Sequence, residues 1–247
     1  MPQKNAMKTV VISQPMYFPW PGFMAQMALA DVHVWLDDAQ FSKGSFTNRI
    51  QVRTATGRTW MTIPLAGTGS FQSIAALSAA NEKWRTGHRD LIRQQFKGLP
   101  NLNDAIAIFD RAVGHFDLVD VLIASCEEPA KYLRVLPIQI ARTSTLDIRG
   151  DSWSRVLDIV LAFGGTRYVT GHGAANYLDC EAFETAGVTV EFMDYAPRPW
   201  SNHREPFDPY VTILEPIAHD GQNAAMCLNP KTVGWRDFLS RTAHARP

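Results

Sequence analysis

The chain has 247 residues, 24 Lys and Arg against 24 Asp and Glu, a formal net charge of +0 and a pI near 7.1. That length suits one large α/β domain with a well-buried core or two small ones, and the absence of a Gly/Ser- or Pro-rich linker favours one. The neutral balance excludes a global field that would gather nucleic acid or an anionic membrane.

The three cysteines, Cys126, Cys180 and Cys227, lack paired spacing, so they indicate neither a zinc site nor a disulfide framework and suit a reducing compartment. The N-terminal MPQKNAMK is polar, and no apolar run is long enough to span a bilayer. The expectation is a cytoplasmic protein without membrane insertion.

In chain order, Val10, Val11 and Ile12 predict a strand buried on both faces, ended by Gln14-Pro15 because proline lacks the ladder N–H. A loop with Tyr17, Pro19, Trp20, Pro21 and Gly22 leads into a short helix over Phe23 to Ala30. Val32, Val34, Trp35 and Leu36 make a second strand that stops at Asp37-Asp38. Such a β-α-β unit sets parallel strands side by side, with the ligand crevice at their carboxyl ends. Gln14, Tyr17 and Trp20 fall there, as do Asp37, Asp38, Gln40, Lys43, Asn48 and Arg49. They are more hydrogen-bonding groups than two turns require.

Ile50 to Pro64 alternates as a β-hairpin turned at Gly57. Lys43, Arg49, Arg53 and Arg58 form a basic strip suited to a phosphate or carboxylate, or a solvated hairpin face. Gly67-Thr68-Gly69-Ser70 offers a weak phosphate loop without P-loop spacing. Trp84, His88, Leu91, Ile92 and Gln95 stack on one side of a helix, placing His88 inward as a core residue or a titrating group. Helices follow over Asn103 to Val113 and Leu118 to Leu133, the latter expected to break or kink at Pro129.

Ile138 to Ser144 reads as a strand whose exit offers hydroxyls, Ser144 among them. Asp151 or Ser152 caps a helix through Phe163. Tyr168 to Thr170 is a strand leading into Gly171-His172-Gly173 and a helix expected from about Ala174 to Ala186. The glycines allow close backbone approach, and the helix start suits a negative group. Tyr177 belongs to that block. Val188 to Phe192 is the last predicted strand. The stretch Tyr195 to Tyr210 is rich in proline and aromatics and is expected to cover the crevice, with a short helix over Val211 to Ala218 and a basic tail beyond Asn229. The order predicts an α/β three-layer domain with a mainly parallel sheet, an inserted helical region and a small β-hairpin.

QPMYFPWPGF, ADVHVWLDDAQFSKGSFTNR, YVTGHGAANYLD and FDPYVTILEPIAHDG together resemble the WbqC-like family. The resemblance implies one domain over residues 8–223, with terminal extensions at 1–7 and 224–247. It also implies a role in bacterial O-antigen or other surface-glycan biosynthesis, including a suggested transfer of glycine onto a sugar. Where relatives carry an aromatic-rich tyrosine and glutamine segment, this chain has Pro199, Trp200, Ser201 and Asn202.

Acyl or aminoacyl transfer to an amino or hydroxyl group needs a base, oxyanion donors and positive charge for donor phosphates. Asp37 or Asp38 would serve as base and His88 or His172 as base or oxyanion donor. Gln14 and Asn48 would orient the substrate, and Lys43 and Arg49 would hold anions. The alternatives are a metal-dependent nucleotide or nucleotide-sugar transferase using Asp37-Asp38, and a non-catalytic ligand-binding protein of a glycan pathway. The expected partner is a small molecule or nucleotide-sugar, with no nucleic acid beyond an aminoacyl donor. The residues point to no particular cofactor.

Overall fold

A computed structural model describes residues 7–67 and 71–244. Thr68, Gly69, Ser70 and the tail residue Arg246 lie outside them. Two valines and an isoleucine in five residues give β1 (Thr9–Ser13), which is buried along nearly its whole length. α1 (Pro21–Met27) follows with proline at its first turn, where a missing N–H costs nothing. β2 (Val32–Trp35) then pairs parallel to β1, Val10 against Val32 and Ser13 against Trp35.

The chain continues through the hairpin β3 (Arg49–Thr54) and β4 (Gly57–Thr62), which stands apart from the main sheet. Three helices come next: α2 (Lys83–Gln95), α3 (Leu102–Val113) and α4 (Leu118–Tyr132). They form the expected insertion before β5 (Gln139–Arg142). After it come α5 (Ser152–Ala162), β6 (Arg167–Thr170), α6 (Cys180–Thr185), β7 (Thr189–Met193) and α7 (Leu214–Asp220). The chain ends in β8 (Thr232–Gly234) and α8 (Trp235–His244).

The six-stranded sheet has the order β5-β2-β1-β6-β7-β8, parallel except for β8. The order reverses between β1 and β6, so the carboxyl ends of these strands form the topological switch point. The period of two along β1 explains the layers. Val11 joins a core with Tyr17, Phe18, Trp35, the hairpin's Ile50, Val52 and Met61, and the inserted helices. Val10 and Ile12 join a second core with Val156, Ile159, Phe183 and Phe238 on the opposite face. No helix among the described residues is long and apolar enough to cross a membrane.

Four local expectations change. α4 runs through Pro129 without breaking: the proline forfeits only its own bond to the carbonyl four residues earlier, and the Leu133 N–H still donates to the Pro129 carbonyl at 2.9 Å. α5 starts where expected, but no side-chain bond caps it. The segment after Gly171 is a 3-10 turn, His172–Asn176, and the α-helix begins only at Cys180. There the Asp179 carboxylate accepts from the Ala182 N–H at 3.0 Å. The N–H of Ala174 closes the first bond of that turn on the Gly171 carbonyl at 3.2 Å. Finally, the stretch beyond Asn229 is more than a solvated tail. β8 pairs antiparallel with β7, and α8 places Phe238 against Phe192 at 4.2 Å between ring centroids.

Gly165 connects α5 to β6 where the layers touch. A β-carbon there would lie 2.6 Å from Val10 Cγ2 and 2.8 Å from Val160 Cγ1. Gly165→Ala should therefore lower stability by about 1–3 kcal/mol through overpacking, read as a reduced denaturant midpoint with an unchanged slope.

Candidate functional site

Four of the residues singled out in the sequence meet in one place. Gln40, Lys43, Asn48 and Arg49 line a cavity of about 650 Å³ between the loop after β2, the open end of the hairpin and the segment that follows β4. Its apolar wall includes Phe41, Leu65 and Leu77, and Phe71 stands at the cavity almost fully exposed. Among the described residues, no carboxylate lines it.

Local bonds hold this wall. The Asn48 side chain donates to the Ile63 carbonyl at 2.9 Å, and the Ile63 N–H donates to the Asn48 carbonyl at 2.8 Å. Gly44, at φ +87°, presents its carbonyl to an Arg49 Nη2 donor. The Arg49 guanidinium lies 4.2 Å from the Trp60 ring centroid, and its buried Nε has no hydrogen-bond partner among the described residues. An always-charged fork on an aromatic face beside an apolar wall is suited to a phosphate or carboxylate on a partly apolar molecule.

Tyr17 and His88 lie behind this wall. The Tyr17 hydroxyl bonds the His88 Nδ1 at 3.0 Å, and the Thr62 backbone favours the charged form of the same ring. Thr62 also lines the cavity. Burial lowers the His88 pKa to about 4 against the opposing pull of Thr62, and burial raises the Tyr17 hydroxyl well above its usual value. His88 is thus neutral at pH 7, with its Nδ1 engaged by Tyr17.

Asp37, Asp38 and Ser144 form a separate network at the ends of β2 and β5. The buried Asp37 carboxylate accepts from the Ser144 N–H at 2.9 Å and its hydroxyl at 2.6 Å. Asp38 takes both arms of the Arg155 guanidinium and the Thr143 hydroxyl. Burial opposes ionisation of Asp38, but the bonds from Arg155 and Thr143 outweigh it and hold the carboxyl below its ordinary range. With donors already facing these oxygens, the pair is a poor cradle for a cation. Among the described residues, no group of three or more His, Cys, Asp or Glu could hold a metal ion.

The other candidates lie elsewhere along the same edge. Gln14 follows β1, half-buried at the switch point. Trp20 packs against Tyr195 and Tyr210, with centroids 5.4 and 5.3 Å away, under the proline-rich loop. His172 follows Gly171, bonds the Met193 carbonyl through Nε2 at 2.7 Å and rests on Phe238. Tyr177 lines a shallow groove of about 450 Å³ with Trp235 and Leu239. Asp37 and His172 therefore share the carboxyl edge of the sheet, but follow strands two positions apart, about 10 Å, and neither lines the cavity.

Sequence reasoning missed Arg155 and Phe71. Arg155 is 117 residues from Asp38, and Phe71 sits in an apolar-polar loop without periodicity, so neither had a local signal.

Burial sets a pH response. His88 is depressed to about 4 and His33, fully buried in β2, to about 3. An unfolded chain takes up these protons near pH 6.5, so below that pH the unfolded state binds more protons than the native one. Stability is fully present above pH 6.5 and is lost as pH falls towards 4. Denaturant midpoints measured from pH 7 to 4.5 should decline, and His88→Gln should remove up to about 1.4 kcal/mol per pH unit from that slope.

A family model for the WbqC-like protein family matches residues 14–227. Among curated proteins, the chain is 25% identical over 223 residues to the uncharacterized protein Rv1507c of Mycobacterium tuberculosis, covering 88% of this chain and 96% of that relative. No solved structure matches. The matched span takes in α1, the hairpin, the inserted helices, β5 to β7 and α7, and with them every residue of the cavity wall, so the chain belongs to the WbqC-like protein family.

Proposed function

We propose that this protein is a cytoplasmic transferase of surface-glycan or related biosynthesis. It places an acyl or aminoacyl group, glycine being one candidate, on an amino or hydroxyl group of a sugar or other small molecule. The observation that carries the reading is the pair Lys43 and Arg49 beside an apolar wall without a carboxylate, in a cavity large enough for a nucleotide-sized ligand. Such a pair fits the phosphates of a nucleotide-sugar or of an activated donor. Gln40 and Asn48 are the orienting amides.

Proton transfer is assigned to the set Asp37, Asp38, His88 and His172. His88 approaches the cavity by way of Thr62, a wall residue whose backbone acts on its ring. The buried, unpaired state of Cys126, Cys180 and Cys227 supports a reducing compartment.

One observation favours a second reading, a ligand-binding protein without turnover. All four proton-transfer candidates already have hydrogen-bond partners. Mass spectrometry separates the two. A nucleotide-linked amino sugar is incubated with the protein and, separately, glycyl donors, acyl thioesters and nucleoside triphosphates, with and without chelator. The transferase reading expects a mass gain of glycyl or acyl size, chelator-insensitive and reduced about tenfold or more in Arg49→Gln. Saturable ligand retention without product across all donors would overturn transfer in favour of binding. An Arg49→Gln, Lys43→Gln protein that binds and reacts like the parent would remove the cavity from either reading.

A further inference from the structure

The closed end of the hairpin carries a second concentration of charge. Arg53 and Arg58 stand directly opposite each other in the β3–β4 register, an arrangement that like charges disfavour unless an anion lies between them. Both lean on one carboxylate, Asp208, at 3.8 and 3.3 Å. The Arg53 side chain is only 12% exposed, yet its guanidinium contacts are long. Its Nη2 reaches the Arg204 carbonyl at 3.4 Å and the Glu205 carbonyl at 3.5 Å, against an ordinary 2.7–3.2 Å. A buried guanidinium held this loosely has capacity for a better acceptor.

Among the described residues, the other nearby carboxylates do not supply one. Glu205 turns its carboxylate to His203 at 3.1 Å. Glu215 is 3% exposed, its Oε2 has no hydrogen-bond partner among the described residues, and burial pushes its pKa up to about 7 against the pull of Arg53 and Arg204. It therefore neutralises these arginines only in part. The cleft between the hairpin turn and the proline-rich loop has a volume of about 960 Å³ and is lined by Arg53, Arg58, Arg204, Asp208 and Tyr210, among others. The Tyr210 ring is half exposed and is fixed from behind by Trp20.

We propose that this cleft is a second ligand site, which takes the phosphate or diphosphate group of a small molecule between Arg53, Arg58 and Arg204 while the organic part lies along Tyr210. The cleft far exceeds a lone phosphate in size, and the neutral chain as a whole offers no field for a polyanion. Arg49 and Arg53 project from the same face of the hairpin four residues apart, about 14 Å, so the two sites are distinct. The inference does not rest on the transfer reading. A protein that joins two substrates would have use for both sites, but a binding protein with two phosphate-bearing ligands would show the same cleft.

The test is calorimetric titration of the full chain with inorganic pyrophosphate and, separately, with uridine diphosphate. The expected result is saturable binding of both probes, with a component weakened about tenfold or more in Arg53→Gln and in Arg204→Gln. Uridine diphosphate should bind more tightly than pyrophosphate, and Tyr210→Ala should erase that advantage. Circular dichroism establishes that each variant is folded. The exposed Arg204 carries the test if Arg53→Gln does not fold. Absence of saturable binding of either probe would overturn the proposal, as would binding that only Arg49→Gln weakens.

Discussion

The hydrogen bond between Tyr17 and His88 joins three parts of the chain that are remote in sequence. Tyr17 comes from the loop after β1, His88 from the first inserted helix, and Thr62, whose backbone acts on the same ring, from the end of the hairpin. The aromatic rings of Phe18 and Trp84 surround it, with the Tyr17–Trp84 centroids 6.0 Å apart. A buried polar pair of this kind is tolerable only when every donor and acceptor is matched, and once matched it fixes a single arrangement. Here it fixes the back wall of the cavity. The neutrality of His88 is part of the same bargain with burial, since a charged ring would need a counter-ion that the aromatic cluster does not provide.

The neutral net charge conceals a division of labour. At the carboxyl ends of β2 and β5 the carboxylates are answered internally, Asp37 by the Ser144 N–H and hydroxyl and Asp38 by Arg155. On the hairpin the arginines outnumber their carboxylate partners, and Asp208 serves Arg53 and Arg58 at once. The acidic pair that looked most like chemistry in the sequence thus ties a crossover to the sheet. The cations that looked like a solvated face frame two concave regions, one at each end of the hairpin. Hydrogen-bonding demand explains the difference: a carboxylate at a strand end lies within reach of hydroxyls and backbone N–H groups, whereas a guanidinium on a hairpin face meets mainly its cross-strand neighbours.

Much of the fold was legible because its signals are local. The continuous apolar runs of β1 and β2, the alternation of the hairpin and the three- and four-residue spacing of Trp84, His88 and Ile92 each report one element's own burial. The failures occurred where a distant partner decided the outcome. β8 has three residues and no periodicity, and exists because β7 offers an unpaired edge. The stretch from His172 to Asn176 tightened into a 3-10 turn, with Asp179 rather than a glycine marking the true helix start.

The sequence by itself determined the family, the α/β layering and the grouping of Gln40, Lys43, Asn48 and Arg49, because those four residues lie within ten positions of one another and a loop that short keeps them close. Tertiary structure alone decided which candidates share a space. It set Asp38 against Arg155, withdrew His88 behind a wall and His172 onto a carbonyl, and brought the loop carrying Arg204 and Asp208 over the turn of a hairpin some 150 residues earlier. Pairings across such separations are fixed by packing of the whole core and by long-range charge, neither of which leaves a pattern in a window of neighbouring residues.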